Sequence, residues 1–249
     1  MPEIRGPVLL VGAGQGLLVE ELQKNGLACD GIDLNSEMIR LAKERRGQTT
    51  VQADGRALPF ADASYETIIY ATGVVDFIGD EVVIRETMNE ARRVVTPAGK
   101  IFVAFYRMSD ASADFLTRLG LLRDNVLRFR DSLDIYRLTP QQTVKWVAER
   151  AHVGYARALF MLIRSGMLST TAEKKAAFQM QKIFRASDAA ELLLATAPET
   201  QPYRDEPAIR GLFDRLAIPI CEVRATPSCW IAEISALSPS GKAMLFRRP

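Results

Sequence analysis

The sequence predicts an α/β protein in which a mostly parallel sheet, covered by helices, is interrupted by a helical insertion and finished by an antiparallel hairpin. Three patterns predict it. Over the first hundred residues, short apolar runs alternate with stretches of helical period, the arrangement of a parallel sheet with crossover helices. From 111 to 200 the apolar residues recur at helical spacing alone. The final fifty residues hold one more helical stretch and two β-rich runs only four residues apart.

In chain order, the first strand is Val8–Val11, followed by a glycine-rich turn and a helix over Leu17–Asn25 that Gly26 ends. The second strand is Ala28–Asp33, after which Asn35 or Ser36 caps a helix reaching Arg46. A short third strand, Thr50–Gln52, leads into a loop through Leu58-Pro59-Phe60 and Asp62–Ser64, and the fourth strand is Thr67–Ala71. A helix over Glu81–Val95 passes through the turn Thr96–Gly99 into strand five, Lys100–Tyr106. In the insertion, Phe115, Leu119, Leu122, Val126, Phe129 and Leu133 alternate steps of four and three, which predicts one apolar helix face. Thr139-Pro140 announces a second helix running to Arg164, and further helical stretches fall near 171–185 and 187–195. A last helix over Pro207–Leu216 precedes strands Cys221–Arg224 and Cys229–Ile234, which so short a turn makes antiparallel neighbours. The expected organisation is therefore a core at 1–110, the insertion at 111–200, and 201–249 completing the core.

Composition narrows the function. With 249 residues, 48% hydrophobic, 25% charged and a net charge of +2, the chain is ordinary for a globular protein and lacks the strong basic balance of a nucleic-acid binder. Cys29, Cys221 and Cys229 form no CxxC pair, so they read as reduced packing residues of a cytoplasmic protein, and no metal-ligand set is assigned. No basic flank followed by an extended apolar segment marks a signal peptide, and no apolar run reaches the roughly 20 residues that span a bilayer.

The turn after strand one, in "VLLVGAGQG", carries Gly12, Gly14 and Gly16. A dinucleotide fingerprint needs its third glycine where this chain has Leu17, and a phosphate-binding loop needs a Lys-Ser/Thr pair that does not follow. The turn is one of four ordered stretches, with "GIDLNSEMIRLAKER" at 31–45, "ADGRALPFADASYETIIYATGVVDFIGD" at 53–80 and "EARRVVTPAGKIFVAFY" at 90–106. Together they resemble the class I S-adenosylmethionine-dependent methyltransferases, closest to the small-molecule group that includes the quinone-biosynthesis (type 11) enzymes. The resemblance covers nearly all of 8–106. It implies a Rossmann-like seven-strand sheet and S-adenosylmethionine as cofactor, with S-adenosylhomocysteine as product.

The resemblance also implies roles for particular residues. Gly12, Ala13, Gly14 and Gly16 are to let the backbone approach the carboxypropyl arm and ribose of the cofactor. Asp33, 17 residues past Gly16, is to accept hydrogen bonds from the ribose hydroxyls, a diol that an ionised carboxylate suits. Leu34 and Met38 offer apolar surface to the adenine, Asp54 with Ala53 and Gly55 accepts from its amino group, and Ala71 and Thr72 lie at the end of strand four. Two departures stand out. Leu10 occupies the position where relatives carry an acid, and only seven residues precede strand one where many relatives place covering helices. The cover is then left to the insertion or to a partner, unless the sequence is shortened at its start.

Methyl transfer from a sulfonium is an in-line displacement, so alignment and exclusion of water carry most of the catalysis and a general base is optional. The candidate bases are Asp76, aligned with a position often occupied by His in the quinone-pathway enzymes, then Tyr106 at the end of strand five and His152, the one histidine, within the second insertion helix. The Asn/Asp-Pro-Pro-Tyr/Phe element of base-methylating enzymes is replaced by Tyr70-Ala-Thr-Gly73, which argues against nucleic acid as substrate. The insertion, with 13 Lys/Arg and 9 Asp/Glu, is the expected determinant of a small, lipophilic or aromatic acceptor, and its helix faces suit a homodimer equally well. Two other readings remain open: a non-catalytic cofactor-binding or scaffold protein of this fold, and an NAD(P)-dependent oxidoreductase.

Overall fold

The computed structural model describes residues 4–133, 138–165, 198–226 and 229–236. The chain divides into two compact units, Met1–Arg107 with Arg204–Pro249, and Met108–Tyr203. The first unit is built on β1 (Val8–Val11), β2 (Cys29–Asp33), β3 (Thr50–Gln52), β4 (Tyr65–Tyr70), β5 (Val95–Tyr106), β9 (Ile220–Ala225) and β10 (Cys229–Ile234). They form a seven-stranded sheet in the order β3-β2-β1-β4-β5-β10-β9. β1 pairs in parallel with both β2 and β4, whereas β10 is antiparallel to β5 and β9. The mostly parallel sheet and its closing hairpin are thus as the sequence predicts.

β1 is buried at all four residues, as a strand covered on both faces must be. The pleat sends alternate side chains to opposite faces. Leu9 and Val11 join the larger core, with Ile84, Met88 and Ala91 of α4 (Glu81–Val94) and Ile209, Leu212 and Phe213 of α9 (Glu206–Arg215). Val8 and Leu10 join a smaller cluster with Ala13 and with Val19 and Leu22 of α1 (Leu17–Lys24). This accounts for Leu10. It is only 1% exposed, facing Gly31 on one side and Ile69 on the other, where an unpaired carboxylate would lose its hydration.

The helix after β2, α2 (Ser36–Arg46), starts where expected, since the Asn35 side chain accepts from the backbone N–H groups of Glu37 and Met38. Two details of the first unit differ from the sequence reading. The supposed turn Thr96–Gly99 is an irregularity inside β5: Tyr65 pairs with Val95 and Thr67 with Lys100, so four residues are accommodated opposite Glu66. A five-residue helix, α3 (Val74–Ile78), was also missed, being too short to show a helical period.

In the second unit, the single helix face expected from Phe115 to Leu133 breaks into α5 (Asp110–Arg118), a hairpin of β6 (Leu122–Arg123) and β7 (Val126–Leu127), and α6 (Phe129–Leu133). Asp124 and Asn125 adopt φ of 50° and 59°, the left-handed geometry of a two-residue hairpin turn, which these residue types tolerate well. β8 (Gln201–Pro202) adds to β7, so the insertion carries a three-stranded sheet as well as helices. The helix expected from Thr139 to Arg164 is two, α7 (Pro140–Arg150) and α8 (Tyr155–Arg164). The stretches at 171–185 and 187–195 lie outside the described residues. Among the described residues, no helix is long and apolar enough to cross a membrane.

The cysteines are mixed. Burial pushes the Cys29 thiol up to about 11, consistent with a packing residue, but Cys221 is exposed on the edge strand and Cys229 half-buried, so only Cys29 is a core residue.

Leu10→Ala removes a side chain enclosed by two strands and a helix. It is expected to lower the unfolding free energy by about 2–5 kcal/mol, measured by urea denaturation. A loss below 1 kcal/mol would show that Leu10 is not a core contact.

Candidate functional site

From β1 the chain runs outward through β2 to β3 and then crosses back to β4 on the other side of β1, and a crevice opens at the carboxyl ends of β1 and β4, where the strand order reverses. The glycine turn lies there. The N–H groups of Gly12 and Ala13 both donate to Ile32 O at 2.9 Å, which ties the turn to the end of β2. The Asp33 side chain completes the tie, because its Oδ2 accepts from Gly14 N–H at 2.8 Å and its Oδ1 from Asn35 N–H at 2.9 Å. An ionised carboxylate has about four acceptor positions, so two backbone contacts leave capacity for further donors. Asp33 therefore does more than the sequence reading assigned it, since it also shapes the turn.

The glycines serve different purposes. Gly12 has φ +76°, and a Cβ there would stand 2.2 Å from Val74 Cγ2, so its missing side chain makes room for α3 rather than for a ligand. A Cβ on Gly16 would press on Gln48 and Ala42, again within the protein. Gly14 alone of the three, at φ +53°, opens on space with no atom within 4 Å of a built Cβ. Of the three, Gly14 is the one whose Cβ direction opens on space, while those of Gly12 and Gly16 point into the protein.

Around this opening, Leu34 is 68% exposed and Met38 half-buried at the start of α2. Ala53 N–H donates to the Asp33 main-chain oxygen at 3.1 Å, which holds the end of β3 beside β2. Asp54 already has a partner: the Arg56 guanidinium contacts both its oxygens, and Arg56 N–H donates to Oδ1 at 2.9 Å. These contacts hold the Asp54 carboxyl below its usual range. An exposed pair of this kind is worth about 0–1 kcal/mol, so it does not prevent Asp54 from accepting another donor. Gly55 packs close to Thr87. The loop beyond is clamped by Arg93, which donates to Leu58 O and Phe60 O and ion-pairs with Glu90 and Asp62. Ala71 and Thr72 are half-buried at the end of β4, with Ala71 N–H bonded to Val11 O.

Comparison with known proteins agrees with this geometry. Residues 9–103 match the family described as "Methyltransferase domain". Demethylmenaquinone methyltransferase of Corynebacterium urealyticum is 33% identical over 97 residues, covering 39% of this chain and 40% of the relative. The Corynebacterium glutamicum (strain R) enzyme of the same name is 34% identical over 97 residues, with the same coverage. The chain thus spans about two fifths of the length of these curated relatives. Among solved structures, a SAM-dependent methyltransferase from Methanosarcina mazei superposes with a TM-score of 0.51 at 14% identity, covering 93% of this chain and 92% of that one. A protein from Pyrococcus horikoshii OT3 also gives 0.51, at 15% identity, covering 93% and 82%. At these identities the structures show the fold.

The three candidate bases fare differently against the geometry of the structure. Asp76 is not a solvated loop carboxylate: it sits in α3, 2% exposed at its side chain, and accepts from Arg204 Nε at 2.9 Å. Sequence reasoning missed Arg204, because 128 residues separate the pair. Asp76 is therefore a buried ion-pair partner of Arg204 rather than a carboxylate in open solvent. Tyr106 stands at the end of β5, 39% exposed, with its ring over Gly73, where a Cβ would come within 2.7 Å of Cε2. His152 belongs to the second unit. It lies in the turn between α7 and α8 at φ 52°, not within a helix. That unit has its own cleft of about 390 Å³ between α5 and α8, lined among others by Phe160, Arg118, Arg157, Arg164, Asp110 and Asp114, with Arg118 ion-paired to Asp114.

Gly12→Ala is expected to destabilise the protein in two ways, by about 1–2 kcal/mol from the left-handed backbone and further from the clash with Val74. Only the clash is relieved in Gly12→Ala/Val74→Ala. A double-mutant cycle on unfolding free energies should give a coupling of about 0.5–3 kcal/mol; additive losses would refute the Gly12–Val74 contact.

Proposed function

We propose that the chain is an S-adenosylmethionine-dependent methyltransferase acting on a small molecule, with a lipophilic or aromatic acceptor. The observation that carries this reading is the opening over Gly14 beside the Asp33 carboxylate, at the β1–β4 switch point of a methyltransferase domain. The residues present fit the cofactor: Gly14 presents bare backbone to open space, and Asp33 retains acceptor capacity for a diol. Leu34 and Met38 are the apolar neighbours for the adenine, and Ala53, Asp54 and Gly55 its polar edge. Ala13, Ala71 and Thr72 line the turn and the end of β4, and Gly12 and Gly16 support the turn from behind.

When bound, S-adenosylmethionine supplies an electrophilic methyl carbon on a sulfonium. The chain's own contribution is to bind, orient and exclude water, which suffices for an in-line displacement. The Tyr106 hydroxyl, at the carboxyl end of β5, is suited to hold or move an acceptor's proton. The relatives named for demethylmenaquinone support a lipophilic, aromatic acceptor.

Titration calorimetry with S-adenosylmethionine, S-adenosylhomocysteine and NAD tests the reading. Both sulfur compounds are expected to bind and NAD not. Asp33→Ala should weaken the binding of S-adenosylhomocysteine by about 1.5–3 kcal/mol, roughly 10- to 150-fold, as expected for losing hydrogen bonds to a charged group. Absence of binding by either sulfur compound would overturn the proposal, and binding of NAD alone would favour an oxidoreductase. Binding without turnover of any acceptor would favour a non-catalytic binding protein.

A further inference from the structure

We propose that Arg204, acting through Asp76, is a positioning residue for the glycine turn. α3 has only five residues, so it cannot hold itself by its own hydrogen bonds. Gly73 and Gly79 flank it at φ +89° and +69°, and neither side offers a side-chain cap. Its place is set by what its side chains touch. Val75 is fully buried in the core, Val74 occupies the space that Gly12 leaves, and Asp76 enters the ion pair with Arg204.

The other end of that pair is well anchored. Arg204 immediately precedes Asp205, whose side chain caps α9 by accepting from Ala208 N–H at 2.9 Å. α9 is in turn held by Ile209, Leu212 and Phe213, each 0–1% exposed in the core. The guanidinium, 14% exposed, thus projects from a rigid helix start onto a carboxylate that is 2% exposed. A buried carboxylate is costly without its partner, so α3 is committed to the position where Asp76 meets Arg204. Fixing α3 fixes Val74 against Gly12, and with it one side of the turn whose other side Asp33 holds. The place where the chain returns from the second unit is thereby linked to the turn.

The test uses hydrogen–deuterium exchange on the ligand-free chain, which does not depend on the proposed cofactor, together with calorimetry using S-adenosylhomocysteine, which does. In Arg204→Met, amides 73–79 and 12–16 are expected to exchange at least tenfold faster while those of β9 and β10 keep their wild-type rates. Arg204→Lys should restore most of the protection. S-adenosylhomocysteine should bind Arg204→Met at least tenfold more weakly than the parent. Faster exchange confined to 200–207, or spread evenly over the whole core, would overturn the proposal, since either is what a merely structural pair predicts. If Arg204→Met does not fold, Asp76→Asn, which keeps shape and one acceptor oxygen, is read by the same pattern of exchange. A parent protein that binds no S-adenosylhomocysteine would count against the methyltransferase reading alone, and the exchange comparison would still decide the role of Arg204.

Discussion

Two backbone N–H groups converge on one carboxylate, and the candidate site depends on that convergence. Asp33 closes the end of β2 and accepts from Gly14 in the glycine turn and from Asn35 at the start of α2. Hydrogen bonds to a charged acceptor are about twice as strong as neutral ones, so this one residue sets the turn, the strand end and the first turn of the next helix relative to one another. It also keeps the turn open, because Gly14 is held by its N–H while its Cα faces space.

The far side of the turn is held by packing. Val74 fills the gap at Gly12, and the Tyr106 ring covers Gly73, so two glycines bring α3 and the end of β5 against the crevice. The glycine turn therefore sits between a polar tie on the β2 side and an apolar contact on the β4 side. The Asp76–Arg204 pair lies behind the apolar contact, buried where a carboxylate cannot stand alone.

Much of the first unit was legible in the sequence because its signals are local. Apolar runs bounded by turn residues marked β1 to β4, Asn35 marked the start of α2, and the short connection before Cys229 marked the closing hairpin. The errors have equally local causes. The apolar spacing from Phe115 to Leu133 fits a helix, yet Gly120 at φ +67° and the Asp124-Asn125 turn break it into a helix, a hairpin and another helix. Those turn residues were a signal that the periodicity overshadowed. Thr96–Gly99 carries Pro97 and Gly99 and reads as a turn, but it is absorbed as an irregularity because β5 begins directly at the end of α4.

For the site, residue types and order made candidates of Gly12, Gly14, Gly16, Asp33 and the end of strand four, since a glycine-rich turn and a carboxylate each follow a strand. Only the tertiary structure decided that Gly12 and Gly16 face protein, that Leu10 belongs to the core under α1, and that Asp76 is paired. The physical reason is sequence distance. A chain declares what each residue can do locally, whereas the partner that uses that capacity, Val74 for Gly12 or Arg204 for Asp76, is brought in by folding from 62 or 128 positions away.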